Sequence, residues 1–141
     1  MYRAHEVMNT NVVTIRPEAT VEEAIRMLVD HHVSGTPVVD RQGTMVGIIS
    51  EFQLLEAIYT PDVKKLCVAE VMSKDVVSVE ENTLLSDVAS LFVLNRIRRV
   101  PVVRGQRLIG VISRRDLLRY ILDMGDKLSE FLADVRCEAV A

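Results

Sequence analysis

Apolar positions along this chain change period in a fixed order, and the order occurs twice. Val12-Val13-Thr14-Ile15 is a β-branched run that reads as a short strand. Val21, Ala24, Ile25, Leu28 and Val29 then recur at helical spacing after Thr20, a residue type that caps helices. Pro37-Val38-Val39-Asp40 and Met45–Ser50 follow as two strands joined by the turn Arg41-Gln42-Gly43, with Pro37 tolerable only at a strand start or edge. A further helix carries Leu54, Leu55 and Ile58.

The second pass answers each of these. VMNTNVVTI (Val7 to Ile15) returns as VMSKDVVSV (Val71 to Val79), and TPVVDRQGTMVGIIS (Thr36 to Ser50) returns as VPVVRGQRLIGVIS (Val100 to Ser113). Leu85, Val88, Ala89 and Phe92 repeat the first helix; Leu117, Leu118 and Ile121 repeat the second. The offset is constant from Val7 through Val39, and one deletion in the turn after the PVV strand shifts the remainder, so the chain is a tandem duplication. Each copy reads β-α-β-β-α. The predicted architecture is α/β, with two pseudo-symmetric repeats packed through their sheets, because helices on one sheet face leave the other face to be covered. The expected divisions are residues 1–62 for the first repeat, 63–122 for the second, and 123–141 for a C-terminal helical tail, within which Asp126 to Val135 is amphipathic.

Composition narrows the class. With 49% hydrophobic residues, 26% charged residues and a net charge of −3 over 141 residues, the chain has the balance of a soluble globular protein and not of a polyanion-coating one. Pieces of about 60 residues bury too little surface to stand securely alone, so the two copies are expected to share a core. Cys67 and Cys137 are far apart and lack neighbours at ligand spacing, which suggests neither a disulfide framework nor a metal site and fits reduced thiols in the cytoplasm. No apolar run approaches the roughly 20 residues of a membrane span, and MYRAHEVM lacks the apolar core of a signal peptide.

The ordered set V-M, V-V, P-V-V and G-x-I-S-x-x-D/Q-L-L, present twice over about Ala4 to Tyr120, resembles a tandem pair of CBS domains, the family named for cystathionine β-synthase. The resemblance implies a non-enzymatic regulatory module. It would bind AMP, ADP, ATP or S-adenosylmethionine in one or both of two clefts between the repeats, modulate a partner protein, and form a homodimer. It implies no required cofactor beyond an adenine nucleotide as regulatory ligand.

The two copies differ where charge follows the last strand. Ser113-Arg114-Arg115-Asp116 and Ser50-Glu51-Phe52-Gln53 both fit a capping box, so capping cannot explain their difference. A helix N-terminus offers amides to an anion, arginine strengthens a phosphate contact, and an aspartate accepts from a ribose diol where glutamine fits less well. In the family pattern G-x-x-S/T-x-x-D the serine and aspartate are the phosphate and ribose contacts, and they match Ser113 and Asp116; the first copy departs at Gln53. The resemblance further assigns Asn11, Val13, Val33, Ser34 and Gly35 to the adenine side of the same cleft, and Arg98 and Arg99 to phosphates. A mirror cleft would use Ser50, Gln53, Val77 and Ile97, with Arg98, and is expected to be empty or weaker, since it lacks the aspartate and places Glu51 near the anion. Arginines favour phosphorylated ligands over S-adenosylmethionine. Arg96, Arg98, Arg99, Arg104, Arg107, Arg114, Arg115 and Arg119 crowd the second copy; a solvated charged face is their ordinary explanation, and a locally raised anion concentration the functional one.

The rival reading is a ligand-free structural or interaction module acting through a partner or dimer surface. Catalysis is disfavoured, since neither Ser50 nor Ser113 stands in a G-x-S-x-G elbow and His31-His32 ends a helix, where an imidazolium favours the dipole. Arg114, Arg115 and Arg119 are the only candidates for a nucleic-acid-reading helix, and the acidic balance of the chain argues against one.

Overall fold

The computed structural model describes residues 2–125, together with Ser129 and Ala133; apart from those two residues, the amphipathic stretch Asp126 to Val135 of the expected tail helix lies outside the described residues, as does Cys137. The chain forms two compact units. Each takes its leading segment from the other repeat: one unit comprises residues 13–76 and 106–108, the other residues 2–12, 77–105 and 109–125 of the described chain.

In the first-repeat unit, helix α1 (Val21–His31) begins at Thr20, whose hydroxyl accepts from Glu23 N at 3.1 Å. Strands β1 (Gly35–Val39) and β2 (Met45–Ser50) form an antiparallel pair, and α2 (Glu51–Ala57) follows directly. The turn between the strands is set by Asp40, whose Oδ1 accepts from Gln42 N and Thr44 N at 2.9 and 3.0 Å, and by Gly43 at φ +84°. A short helix α3 (Val68–Val71), absent from the periodicity, closes the unit. Its core is Ile15, Val21, Ala24, Leu28, Val38, Ile49, Leu54 and Val68.

The second-repeat unit holds β3 (Val79–Glu80), α4 (Leu85–Asn95), β4 (Arg99–Arg104), β5 (Arg107–Ser113) and α5 (Arg114–Asp123), with β4 between β3 and β5. Leu84 stands where Thr20 caps α1, and it offers no side-chain cap. The first amide of each helix is instead satisfied by the leading segment: Leu85 N donates to Tyr2 O and Val21 N to Leu66 O, both at 2.9 Å. The core gathers Ala4, Val79, Leu85, Val88, Phe92, Val100, Val102, Ile112 and Leu117.

The repeated V-M motif explains the repeated glycine. Asn9 and Val111 exchange backbone hydrogen bonds at 2.9 and 3.0 Å, laying Met8 on Gly110; Ser73 and Ile48 do the same at 2.8 and 2.9 Å, laying Met72 on Gly47. A side chain at either glycine would occupy the methionine's place.

The strand expected over Val12–Ile15 is a single bridge, Ile15 to Val38. Ile15 N donates to Pro37 O, and Val39 N donates to Ile15 O. One step further the ladder requires the nitrogen of Pro37 to donate to Val13, and proline has no N–H. The second copy has Pro101 at the equivalent position, and its strand is confined to Val79–Glu80.

The apolar helical stripes are wider than the buried faces. Ile25 and Val29 on α1, Leu55 on α2 with Ile58 just beyond it, and Leu118 on α5 are exposed, whereas Val21, Ala24, Leu28, Leu54 and Leu117 are buried. At the end of α1, His31 Nδ1 lies 3.0 Å from the Met27 carbonyl, and His32 adopts left-handed φ 53°, ψ 43°. A β-carbon is disfavoured there, so His32→Gly should raise stability by about 0.5–1 kcal/mol, read as a rise of a few degrees in Tm.

Candidate functional site

The residues singled out for phosphate and ribose are held by the second-repeat unit. Ser113 is the N-cap of α5: its Oγ accepts from Asp116 N at 3.0 Å, and its own N donates to Asp116 Oδ2 at 3.0 Å. The first α5 amide, Arg114 N, donates to Arg98 O at 3.0 Å, which sets the segment before β4 beside the helix start. Of the first three α5 amides, two are therefore committed within the protein, and Arg115 N is the one available to an anion. No described residue pairs with Asp116 Oδ1, and the carboxylate is half-buried, so one anionic oxygen is left open in the first turn of α5; Arg114 and Arg115 in the same turn are exposed, as are Arg98 and Arg99 where β4 begins. Asn11 belongs to the same unit, where its N donates to Asn9 Oδ1 at 2.9 Å.

The start of α2 in the first-repeat unit repeats this geometry with different chemistry. Glu51 N donates to Ser34 O at 2.9 Å, the counterpart of the Arg114–Arg98 bond. Gln53 Oε1 accepts from Ser50 N at 2.9 Å and from the Ser50 hydroxyl at 3.3 Å. Its only oxygen is thereby occupied and what remains is an NH2 group, a donor where Asp116 offers an acceptor. Val13, Val33, Ser34 and Gly35 lie in this unit, while Val77 and Ile97 lie in the second-repeat unit. Gly35 lies in β1 opposite Ser50, and a β-carbon there would meet Ile49 O at 3.3 Å, a tight approach that would require the backbone to give.

Two of the crowded arginines have local roles. Arg104 donates through Nε and Nη2 to Glu81 Oε2 at 3.2 and 2.8 Å. That hydrogen bond, helped by the guanidinium charge, lowers the Glu81 carboxyl from its ordinary range and raises Arg104 in turn. Arg107 lies against Gly43 in the first-repeat unit, where Leu108 N donates to Gly43 O at 3.1 Å and Met45 N to Gln106 O at 3.0 Å. In the sequence both fall among the crowded arginines, because charge carries no record of its partner. Among the described residues no group of three or more His, Cys, Asp and Glu side chains is gathered as for a metal ion, and no helix is long and apolar enough to cross a membrane.

Residues 4–60 and 68–123 each match the sequence model of the CBS domain. The chain belongs to the CBS-domain family. It is 37% identical over 139 residues to inosine-5'-monophosphate dehydrogenase of Methanocaldococcus jannaschii, a match covering 96% of this chain and 27% of the dehydrogenase. It is 32% identical over 118 residues to the CBS domain-containing protein YhcV of Bacillus subtilis, covering 83% of this chain and 84% of YhcV. Among solved structures, CBSX2 of Arabidopsis thaliana in complex with AMP superposes with a TM-score of 0.79 at 30% identity, over 89% of this chain and 99% of that one. CBS pairs thus occur within a longer enzyme and in proteins little longer than the pair.

Proposed function

We propose that this CBS pair is a regulatory module that binds an adenosine-containing ligand and modulates a partner protein, without catalysis of its own. The observation that carries the reading is the start of α5, where one Asp116 carboxylate oxygen has no partner among the described residues, the Arg115 amide is uncommitted, and the Arg98 backbone is tied to the exposed Arg114. In this reading Asp116 takes the ribose hydroxyls, while Ser113, Arg114, Arg115, Arg98 and Arg99 take phosphate. Asn11, Val13, Val33, Ser34 and Gly35 take the base. The complex of CBSX2 with AMP, a protein similar over most of this chain, supports the adenosine class. The arginines favour AMP, ADP or ATP over S-adenosylmethionine, whose sulfonium cation gains nothing from them. The mirror set Ser50, Gln53, Val77 and Ile97 binds more weakly, because Gln53 presents donors to a diol and Glu51 repels an anion. A cytoplasmic setting belongs to the same proposal, since the free Cys67 thiol suits a reducing compartment.

Calorimetric titration of nucleotide-free protein with AMP, ADP, ATP and S-adenosylmethionine tests this directly. At about 100 times its dissociation constant, a phosphorylated ligand should stabilise the fold by roughly 2.7 kcal/mol, visible in a thermal melt. Silence from all four ligands on folded protein would leave the interaction-module reading. Phe52 and Leu55 on α2, with Ile58 and Tyr59 just beyond it, are exposed and favour burial against another chain, and a homodimer is the occupant we assign them. Light scattering should then give twice the monomer mass for the wild type and the monomer mass for Phe52→Glu.

A further inference from the structure

Thr36 is one of two buried polar residues among the described core, 2% exposed, and its hydroxyl donates to the Val13 carbonyl. That carbonyl is the one the ladder cannot serve, because the nitrogen that would face it belongs to Pro37. The side chain of Thr36 thus replaces a missing backbone donor and ties the segment before Ile15 to β1. The second repeat lacks the device. Val100, fully buried at the equivalent position, has no hydroxyl, and no described residue donates to the Val77 carbonyl beside Pro101.

We infer that Thr36 is a positioning residue for the base half of the site: it locks the Val13 peptide in one orientation, so that the first leading segment is preorganised against a purine and the second, at Val77, is not. The inference rests on the functional reading above, which places Val13 at the base. Preorganisation raises affinity by removing the cost of ordering the segment on binding. It also adds a reason for unequal binding at the two repeats that is independent of Asp116 and Gln53.

The test separates base from sugar phosphate. Affinities for AMP and for ribose 5-phosphate are measured by calorimetry on wild type, Thr36→Val and Thr36→Ser. One hydrogen bond's worth of positioning corresponds to about a tenfold loss of AMP affinity in Thr36→Val. Ribose 5-phosphate affinity should be unchanged, and Thr36→Ser should restore AMP binding. A purely structural role would weaken both ligands together, and equal AMP affinity in wild type and Thr36→Val would overturn the inference. If wild-type protein binds neither ligand, the functional reading itself fails. Should Thr36→Val not fold, NMR on the wild type decides: AMP must shift the Val13 carbonyl and Thr36 resonances where ribose 5-phosphate leaves them in place, and shifts of equal size from both ligands overturn the inference.

Discussion

Asp116→Asn should lower the affinity for AMP by about ten- to a hundredfold, the range expected when a hydrogen bond to a charged group becomes one to a neutral group. Asparagine is the informative substitution because Asp116 has two tasks. Its Oδ2 completes the capping box by accepting from Ser113 N at 3.0 Å, and Asn retains an oxygen for that bond. Alanine would remove the cap as well, costing about 1 kcal/mol of stability and confusing a folding loss with a binding loss. With the cap intact, Asn presents its NH2 group where the open carboxylate oxygen stood, which reproduces the Gln53 arrangement of the other repeat. The melting temperature without ligand should stay within a few degrees of wild type while the calorimetric affinity falls. The reciprocal change, Gln53→Asp, keeps its own cap to Ser50 and should bring measurable binding to the first repeat. Unchanged AMP affinity in Asp116→Asn would remove this carboxylate from the site.

Gly47→Ala should destabilise the protein by about 2–3 kcal/mol, at the upper end of what overpacking costs. A β-carbon at Gly47 falls 2.6 Å from Met72 Sδ and 2.7 Å from the backbone oxygen of Ser73. The methionine can turn away, but the Ser73 carbonyl cannot, because it accepts from Ile48 N at 2.9 Å and its own residue donates back to Ile48 O at 2.8 Å. Gly110 supplies the control. The three atoms nearest a β-carbon there all belong to the Met8 side chain, at 2.7, 2.9 and 3.0 Å, with no backbone atom as near as the Ser73 oxygen is to Gly47. Gly110→Ala should therefore cost less, and adding Met8→Ala should recover most of the loss, whereas Met72→Ala should fail to rescue Gly47→Ala. Thermal or urea unfolding of the four variants reads this out, with the Gly47→Ala midpoint falling by roughly 6–12 °C. Equal losses at the two glycines would show that the Ser73 backbone yields.

The start of α5 was legible because a capping box is local: four consecutive residues contain both partners, and the serine and aspartate can be named without knowing what lies beyond them. The same holds for Thr20 at α1 and for the turn Arg41-Gln42-Gly43, whereas Asp40, whose side chain sets that turn, reads in the sequence as the end of a strand. The Arg104–Glu81 pair was not legible, because its two halves are far apart in the chain and either charge is equally suited to solvent. Short helix α3 escaped because four residues are too few to show a period. The excess of apolar positions on α1, α2 and α5 was legible as helix but not as surface, since periodicity gives the face of a helix and not the extent of what covers it.

Sequence alone determined the duplication, the helix-strand-strand-helix run of each repeat, the family and the chemical difference between Asp116 and Gln53, because each is written in spacing or residue type within a short window. Tertiary structure decided three things. It showed that each unit borrows its leading segment from the other repeat, so that Met8 meets Gly110 and Met72 meets Gly47. It showed that Arg98 joins the start of α5 through its backbone carbonyl. It showed that the Thr36 hydroxyl stands in for the hydrogen that Pro37 lacks. Each is a contact between groups distant in the chain or made through the backbone. Such contacts leave no periodic trace, because their energy depends on where the fold has already brought the partners.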